Sequence, residues 1–407
     1  MDEPAVPRRV VTVFLIFLRL GLSSFGGPVA HLGYFRDAFV LRRRWLTDSQ
    51  YADLVALCQL LPGPASSQVG MAIGLARAGY PGLLAAWLGF TLPSALLLIL
   101  AAIGLAQYQS VWLMGLVAGL KLVAVVVVAQ AVVGMRRALV TGPRLILIML
   151  CSTATTLIIG GVWSQLLVIL LGALAGRLWI LPTGTAAQYE AEGAVVRWLS
   201  PRHARCWLLA FVGGLFLLPL LSQLYPQGWL HLMDGLFRSG ALVFGGGHVV
   251  LPLLQNEVVA SGLVEESRFL AGYGLAQAVP GPLFTLASFL GAAFADPTLG
   301  WPAALGFGLL ATLAIFLPAF LLLVGVLPFW HRLGQHPHMR TTLSGINAAV
   351  VGLLLAALWD PVILSAVQGP ADLALLPILA LMGWRRLPVG LIVAAGGAGG
   401  TLLTLLC

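Results

Sequence analysis

Read from the N-terminus, the apolar residues of this chain fall into two kinds of stretch. Long, nearly unbroken runs lie at about Leu83–Leu105, Val111–Val133, Leu145–Ile159 and Val162–Leu181, near the ~20 residues that carry a helix across a bilayer. Shorter runs end at glycine or proline. Val10–Leu22 leads into Ser23-Ser24-Phe25-Gly26-Gly27, and Pro28 then suits the first position of a helix running to about Val40. A segment capped by Thr47 or Asp48 reaches Pro62-Gly63-Pro64, and a small-residue helix follows from Ala65 to Arg77. After a polar linker, Pro182 to Arg205, and one further run, Cys206–Leu224, the plan recurs. Leu230–Val243 meets a Phe-Gly-Gly break, then come His248–Val259, a polar Glu265-Glu266-Ser267 cap, Phe269–Val279, a Pro-Gly-Pro break and Leu283–Phe294. Runs at about Pro302–Leu327, Leu343–Leu358, Leu373–Met382 and Pro388–Leu405 complete the chain.

Half-length helices joined by glycine and proline read as re-entrant hairpins. Broken backbone at membrane depth survives only where protein or a watery cavity satisfies the freed groups. The pattern therefore predicts an all-α polytopic membrane protein with nine full crossings and four hairpins, two hairpins and about four spans to each half.

The breaks are written twice. Phe25 to Pro62 is 37 residues, and Phe244 to Pro280 is 36. Arg19 matches Arg238, Gly21 matches Gly240, Asp48 matches Glu266 and Gln59 matches Gln277. Leu92-Pro93 recurs as Leu317-Pro318, and Gly119-Leu120-Lys121 as Gly345-Ile346-Asn347. Two homologous halves are expected, residues 1–181 and 230–407, joined by a linker and single helix over 182–229.

Composition strengthens the membrane reading. Hydrophobic residues fill 60% of 407 positions and charged residues only 9%, against about 25% charged in a soluble domain. The net charge of +8 comes almost entirely from arginine, since Lys121 is the sole lysine. These arginines cluster between apolar runs, which marks inner loops and not a nucleic-acid face. With the N-terminus in the cytoplasm, Arg42–Arg44, Arg77, Arg136-Arg137, Arg144, Arg177, Arg332, Arg340 and Arg385-Arg386 fall inside. Glu257, Glu265, Glu266, Asp296, Asp360 and Asp372 fall outside, and the C-terminus is periplasmic. The single run Cys206–Leu224 makes the second half inverted relative to the first. The four cysteines are widely separated and form no zinc or disulfide signature.

Inverted repeats with broken helices are a recurring architecture of secondary transporters. A helix that starts inside the membrane presents unpaired N–H groups and a partial positive charge, which suits an anion. The candidate cradle is Gly26, Gly27, Pro28, Gln59, Pro62, Gly63, Pro64, Ser66 and Ser67 in the first half. Its counterpart is Gly245, Gly246, Gly247, Gln277, Pro280, Gly281, Pro282, Thr285 and Ser288. Pro64 and Pro282 are expected at first helical positions, with the serines and threonine adding hydroxyl donors. Ionisable residues inside membrane segments are costly and so point to function. Arg19, Arg238 and Lys121 are the candidate counter-charges, and His31 and His248 the candidate proton carriers. Arg36 and Glu257 lie further along the same helices, toward the surface. Each has a plainer reading: Arg19 snorkelling to the inner face, Lys121 bonding a carbonyl, the histidines and glutamines packing against broken backbone. A phosphate loop, a His-Glu-x-x-His helix and paired carboxylates are absent from the sequence, so an enzyme, a cofactor and a metal centre are not expected. His331, His336 and His338 read as an inner loop.

The stretch Phe25-Gly26-Gly27-Pro28-Val29-Ala30-His31-Leu32-Gly33-Tyr34-Phe35-Arg36, with Arg43-Arg44-Trp45-Leu46 beyond it, resembles the N-terminal signature of the chromate ion transporter family. Phe244-Gly245-Gly246-Gly247-His248-Val249-Val250-Leu251-Pro252 resembles its C-terminal counterpart, and the likeness spans the chain as the long, two-domain form. That resemblance implies export of chromate across the bacterial inner membrane, coupled to the proton motive force, with sulfate as a related dianion. The partners it implies are chromate or sulfate, protons and membrane lipids, with a homodimer left open. The competing functions are a sulfate or other oxyanion carrier, a membrane-embedded enzyme or lipid-handling protein that binds a phosphate headgroup, and a scaffold.

Overall fold

The computed structural model describes residues 6–25, 27–107, 111–159, 161–180, 199–244, 249–329, 337–385 and 387–406. Gly26, the Gly245–His248 stretch, most of the linker and His331 and His336 lie outside the described residues. The described chain is helical throughout. In the first half run α1 (Val6–Ser23), α2 (Gly27–Arg36), α3 (Asp48–Leu60), α4 (Ala65–Gln107), α5 (Val111–Leu139), α6 (Pro143–Ile159) and α7 (Gly161–Trp179). A connecting helix, α8 (Pro201–Leu224), follows. The second half has α9 (Gly228–Leu242), α10 (Val250–Leu254), α11 (Glu266–Ala278), α12 (Leu286–Phe294), α13 (Gly300–Val326), α14 (Pro337–Ala357), α15 (Pro370–Trp384) and α16 (Val389–Leu406). Both α2 and α10 continue as a turn of wider π-helix, Asp37–Arg42 and Gln255–Val259.

The duplication seen in the sequence is a duplication of backbone. Helix α4 turns back on itself at Ala78 and Gly79, where φ is −144° and +66°. Its first limb then lies against its second, Gly74 touching Gly82 and Ala86. The same hairpin forms from α12 and α13, with Gly300 at φ +74° and Gly291 against Phe307 and Ala311. Matching glycines seat matching helices: Gly21 of α1 meets the Phe90 carbonyl, and Gly240 of α9 meets that of Ile315.

Five helical stretches among the described residues are long and apolar enough to cross a membrane: Ala65–Ala106, Met114–Leu139, Pro201–Leu224, Pro297–Phe329 and Thr341–Ala366. The sequence predicts nine crossings. Four of the predicted spans are helices α6, α7, α15 and α16, only 17, 19, 15 and 18 residues long. Large apolar side chains such as Leu209, Phe216 and Leu224 stand out from α8 into the surroundings, as a helix against lipid requires and a water-exposed surface does not allow.

The halves are woven together. Helix α5 of the first half packs on α16 of the second, with Gly115 and Gly119 against Gly396 and Gly400. Its counterpart α14 packs on α7, with Gly345 against Gly172 and Gly176. Glycines four apart let the backbones touch, which is how apolar helices associate where lipid removes the hydrophobic drive. One bundle thus holds α1, α4, α8, α9, α12 and α13, and a second holds α5, α6, α7, α14, α15 and α16, each drawing on both halves.

Candidate oxyanion site at the crossed helix breaks

The first break follows α1. Gly27 opens α2 at φ +76°, with Pro28 in the first turn. Thr47 caps α3, accepting from the Gln50 N–H at 3.2 Å while its own N–H donates to the Gln50 side chain at 3.1 Å. This reciprocal cap fixes where α3 starts. It ends where Leu61 turns extended at φ −76°, ψ 144°. In the second half, Val279 ends α11 at φ −84°, ψ 137°. The middle glycines, Gly63 and Gly281, stand at φ +115° and +111°, a conformation open to glycine and strained for any other residue. Pro64 and Pro282 do not occupy the first helical positions expected of them. Pro64 precedes α4 and its carbonyl accepts the Gln68 N–H at 3.0 Å, and Pro282 caps a short 3-10 turn, Leu283–Thr285, that leads into α12. An extended residue must separate the positive-φ glycine from the helix.

Each Pro-Gly-Pro loop docks into the opposite half. The Gly63 N–H donates to the Val243 carbonyl at 2.7 Å, and the Gly281 N–H donates to the Ser24 carbonyl at 3.0 Å. Ser24 and Val243 are the same position in the two copies, the residue before Phe-Gly-Gly. Gly63 also abuts Ala319 and Gly281 abuts Ser94, again equivalent residues, each following the proline of a Leu-Pro pair. The two Pro-Gly-Pro loops and the residues that precede the two Phe-Gly-Gly breaks therefore meet in a reciprocal, pseudo-twofold arrangement. These two glycine N–H groups are used up in the docking. Free donors must come from the first turns of the helices that follow, where N–H groups lack a partner within the helix.

Side chains around the first-half break are buried and polar. His31 is fully buried, its Nδ1 3.4 Å from the Ser66 hydroxyl and its ring edge-on to Phe90 at 5.1 Å. The Ser24 main chain lies beside that ring, while Nε2 makes no hydrogen bond of good geometry. Gln68 Nε2 donates to the Pro62 carbonyl at 2.9 Å, bracing the loop from below. The Ser24, Ser67 and Thr91 hydroxyls and Gln68 Oε1 are buried without a hydrogen-bond partner among the described residues. The second-half break is different. Thr285 donates to the Pro282 carbonyl at 2.7 Å, and Ser288 donates to the Thr285 carbonyl. Phe284, Leu286 and Phe316 occupy the positions that match Ser66, Gln68 and Thr91.

The charged candidates are spread out. Arg19 is exposed on α1 and makes no ion pair among the described residues. Arg36 pairs with Asp48 at 2.7 Å on an exposed face. Arg238 is committed to two carboxylates, Asp234 at 3.0 Å and Glu257 at 2.7 Å, with Asp234 2% exposed and the Ser222 hydroxyl 3.5 Å from it. Lys121 is half-buried in α5, next to Leu120, which packs on Gly274 of α11. Gln59 is exposed, whereas Gln277 reaches the Tyr273 hydroxyl and keeps its Nε2 buried without a partner among the described residues. His248 lies outside the described residues. Ser24, Gln68, Thr91 and Asp234 escaped the sequence reading. Asp234 did carry a signal, an acid one turn before an arginine in an apolar helix.

An apolar groove of about 320 Å³ lies between α4 and α13 and is lined by Met71, Trp87, Phe316 and Phe320. Comparison with known proteins connects the crossed breaks to a family. A probable chromate transport protein of Synechococcus elongatus is 27% identical over 98% of this chain and 96% of its own length. A chromate transport protein of Pseudomonas aeruginosa is 28% identical over 98% and 93%, and one of Cupriavidus metallidurans 28% over 93% and 90%. No solved structure matches the chain. The family described as chromate transporter matches twice, over residues 11–177 and over 229–401, so that each match takes in one Phe-Gly-Gly and one Pro-Gly-Pro break. The chain is a multi-pass membrane protein that belongs to the chromate transporter family.

Proposed function

We propose that the chain is a secondary transporter that exports chromate from the bacterial cytoplasm and so confers chromate resistance. The observation that carries this reading is the reciprocal docking of Gly63 on Val243 and Gly281 on Ser24. It gathers broken helices from both halves at one place, as carriers with inverted repeats do around their cargo. Helix starts there favour an anion, and the relatives called chromate transport proteins supply its identity. In this reading the protein sits in the inner membrane with a cytoplasmic N-terminus, and α8 inverts the second half. The rocking bodies are the two mixed bundles, since the intertwined glycine contacts of α5 with α16 and α14 with α7 hold one bundle together.

Export of a dianion is favoured by an inside-negative potential, worth about 2.3 kcal/mol per charge per 100 mV. Coupling to protons needs a titrating group. Arg238 balances only one of the two carboxylates it touches, so Asp234 and Glu257 together have room for one proton. This triad joins His31 as a candidate carrier. The test is flux of radiolabelled chromate and sulfate in proteoliposomes, under an imposed pH gradient and then an imposed potential. Chromate movement driven by either gradient is expected. Sulfate carried faster, with chromate only competing, would make the protein a sulfate carrier. No anion flux in either direction would end the transport reading.

A further inference from the structure

We propose that the chain holds one oxyanion site, not two, and that it lies at the first-half break with neutral donors as its ligands. The donors are the hydroxyls of Ser24, Ser67 and Thr91, the Nε2–H of His31 and the first-turn N–H groups of α4. The ligand class is a tetrahedral dianion of the chromate and sulfate type. This inference rests on the anion-transport reading and narrows it to one of two symmetric places.

The pseudo-twofold makes the comparison internal. The two breaks share backbone conformation, the positive-φ glycine and the cross-half hydrogen bond. They differ in what surrounds them. At the second-half break the two hydroxyls are spent on their own helix, Thr285 on Pro282 and Ser288 on Thr285. Matching positions elsewhere carry Phe284, Leu286 and Phe316, which offer an oxyanion nothing, and Gln277 Nε2, just before that loop, is a buried donor without a partner among the described residues.

At the first-half break, Ser24, Ser67 and Thr91 are 0%, 3% and 2% exposed, and their hydroxyls have no partner among the described residues. A native interior leaves few polar groups in that condition, and a cluster of them asks for a ligand. The groups are bound into one knot. Ser24 takes the Gly281 N–H, Gly281 abuts Ser94, and Ser94 donates to the Thr91 carbonyl at 3.0 Å. Phe90, next to Thr91, stacks edge-on with His31, which touches Ser66 in the first turn of α4. If Nδ1 accepts from the Ser66 hydroxyl, the ring proton sits on Nε2 and the histidine becomes a donor without a full charge. The N-terminus of α4 adds three N–H groups and a partial positive charge to the same knot. Neutral donors aimed at a dianion hold it without a buried counter-charge to desolvate. On this account Arg19 and Arg238 need not touch the anion, which agrees with Arg238 being held by Asp234 and Glu257.

The experiment is equilibrium binding of radiolabelled sulfate and chromate to the full chain purified in detergent, with stoichiometry, alongside flux in proteoliposomes. The wild type is expected to bind one anion per chain. Thr91→Val, Ser67→Ala and Ser24→Ala should each weaken binding about 10-fold or more, the loss of one hydrogen bond to a charged ligand. Thr285→Val and Ser288→Ala should leave affinity within about 2-fold, and thermal melting confirms that all five variants are folded. Two anions per chain, or equal losses from Thr285→Val and Thr91→Val, would overturn the proposal. So would unchanged binding in all three first-half variants while chromate flux persists, an outcome that leaves the transport reading standing. Binding in the expected pattern without any flux supports the site and removes the transport reading instead.

Discussion

Arg19 and Arg238 occupy the same place in the two halves and live in opposite surroundings. Arg19 is exposed on α1, with Leu15 one turn before it where α9 has Asp234. Arg238 lies between Asp234 and Glu257, and the position matching Glu257 in the first half is Ala38. The hydroxyls nearest the Pro-Gly-Pro loops are distributed the other way. Ser24, Ser67 and Thr91 lack a partner among the described residues, whereas Thr285 and Ser288 are satisfied, with Gln277 Nε2 and the Ser239 hydroxyl among the unpartnered groups of the second half. Duplication has kept the backbone and divided the chemistry: one half holds an ionic triad, the other an unfilled cluster of donors. On the proposed reading, cargo and coupling charge are carried by separate copies of one motif.

The sharpest way to break this comparison is to remove each arginine. Arg238→Ala leaves two carboxylates without their cation, one of them nearly fully buried, and should cost about 3–5 kcal/mol. Arg19→Ala should stay within about 0.5 kcal/mol. Chemical unfolding in detergent measures both, and equal losses would show that the halves do not differ as described. Adding Glu257→Gln to Arg238→Ala should recover part of the loss, since one orphan charge disappears.

The helix crossings should behave alike where the breaks do not. A methyl at Gly21 or Gly240 meets the carbonyl of Phe90 or Ile315 with no flexible side chain to yield. Each alanine variant should lose about 1–3 kcal/mol by overpacking, read in the same unfolding experiment. A loss at only one of the two would mean that the α1–α4 and α9–α13 crossings are not equivalent.

Gly63→Ala and Gly281→Ala impose a positive φ on alanine, at about 1–3 kcal/mol each. Gly281 should be the worse, because its new methyl stands 2.7 Å from the Ser94 hydroxyl whereas at Gly63 the nearest atoms are the Ala319 methyl at 3.0 Å and the Gln68 amide nitrogen at 3.2 Å. Ser94→Ala in the Gly281→Ala background should close the gap. The smallest expected effect is at the start of α3. Thr47→Ala removes a reciprocal cap and about 1 kcal/mol. The matching Glu265, which makes no side-chain cap to α11, should tolerate alanine with a change too small to resolve.

Much of this was legible in the chain itself. Glycine and proline at fixed spacing mark broken helices wherever they stand, because the restriction is local to the backbone, so both breaks and the repeat could be read directly. The prolines after Gly63 and Gly281 were placed one step too far into their helices, since the extended link between glycine and helix leaves no trace in composition. Four of the nine expected crossings rest on apolar runs such as Leu145–Ile159 and Leu373–Met382, and the helices that hold these two, Pro143–Ile159 and Pro370–Trp384, are 17 and 15 residues long. Hydrophobicity marks an apolar segment without requiring that it reach the length of a full crossing.

The sequence by itself determined an all-helical membrane chain, its duplication and the four places where its helices break, since all three follow from side-chain transfer energy and local backbone freedom. Only the tertiary structure decided that each Pro-Gly-Pro loop docks into the other half. It also decided that Arg238 is already paired and that Ser24, Ser67 and Thr91 are left without partners. Those outcomes depend on which groups meet across residues hundreds apart, as Gly281 meets Ser24. A hydroxyl carries the same letter in the sequence whether it bonds a nearby carbonyl of its own segment, as Thr285 and Ser288 do, or has no partner among the described residues, as at Ser24, Ser67 and Thr91.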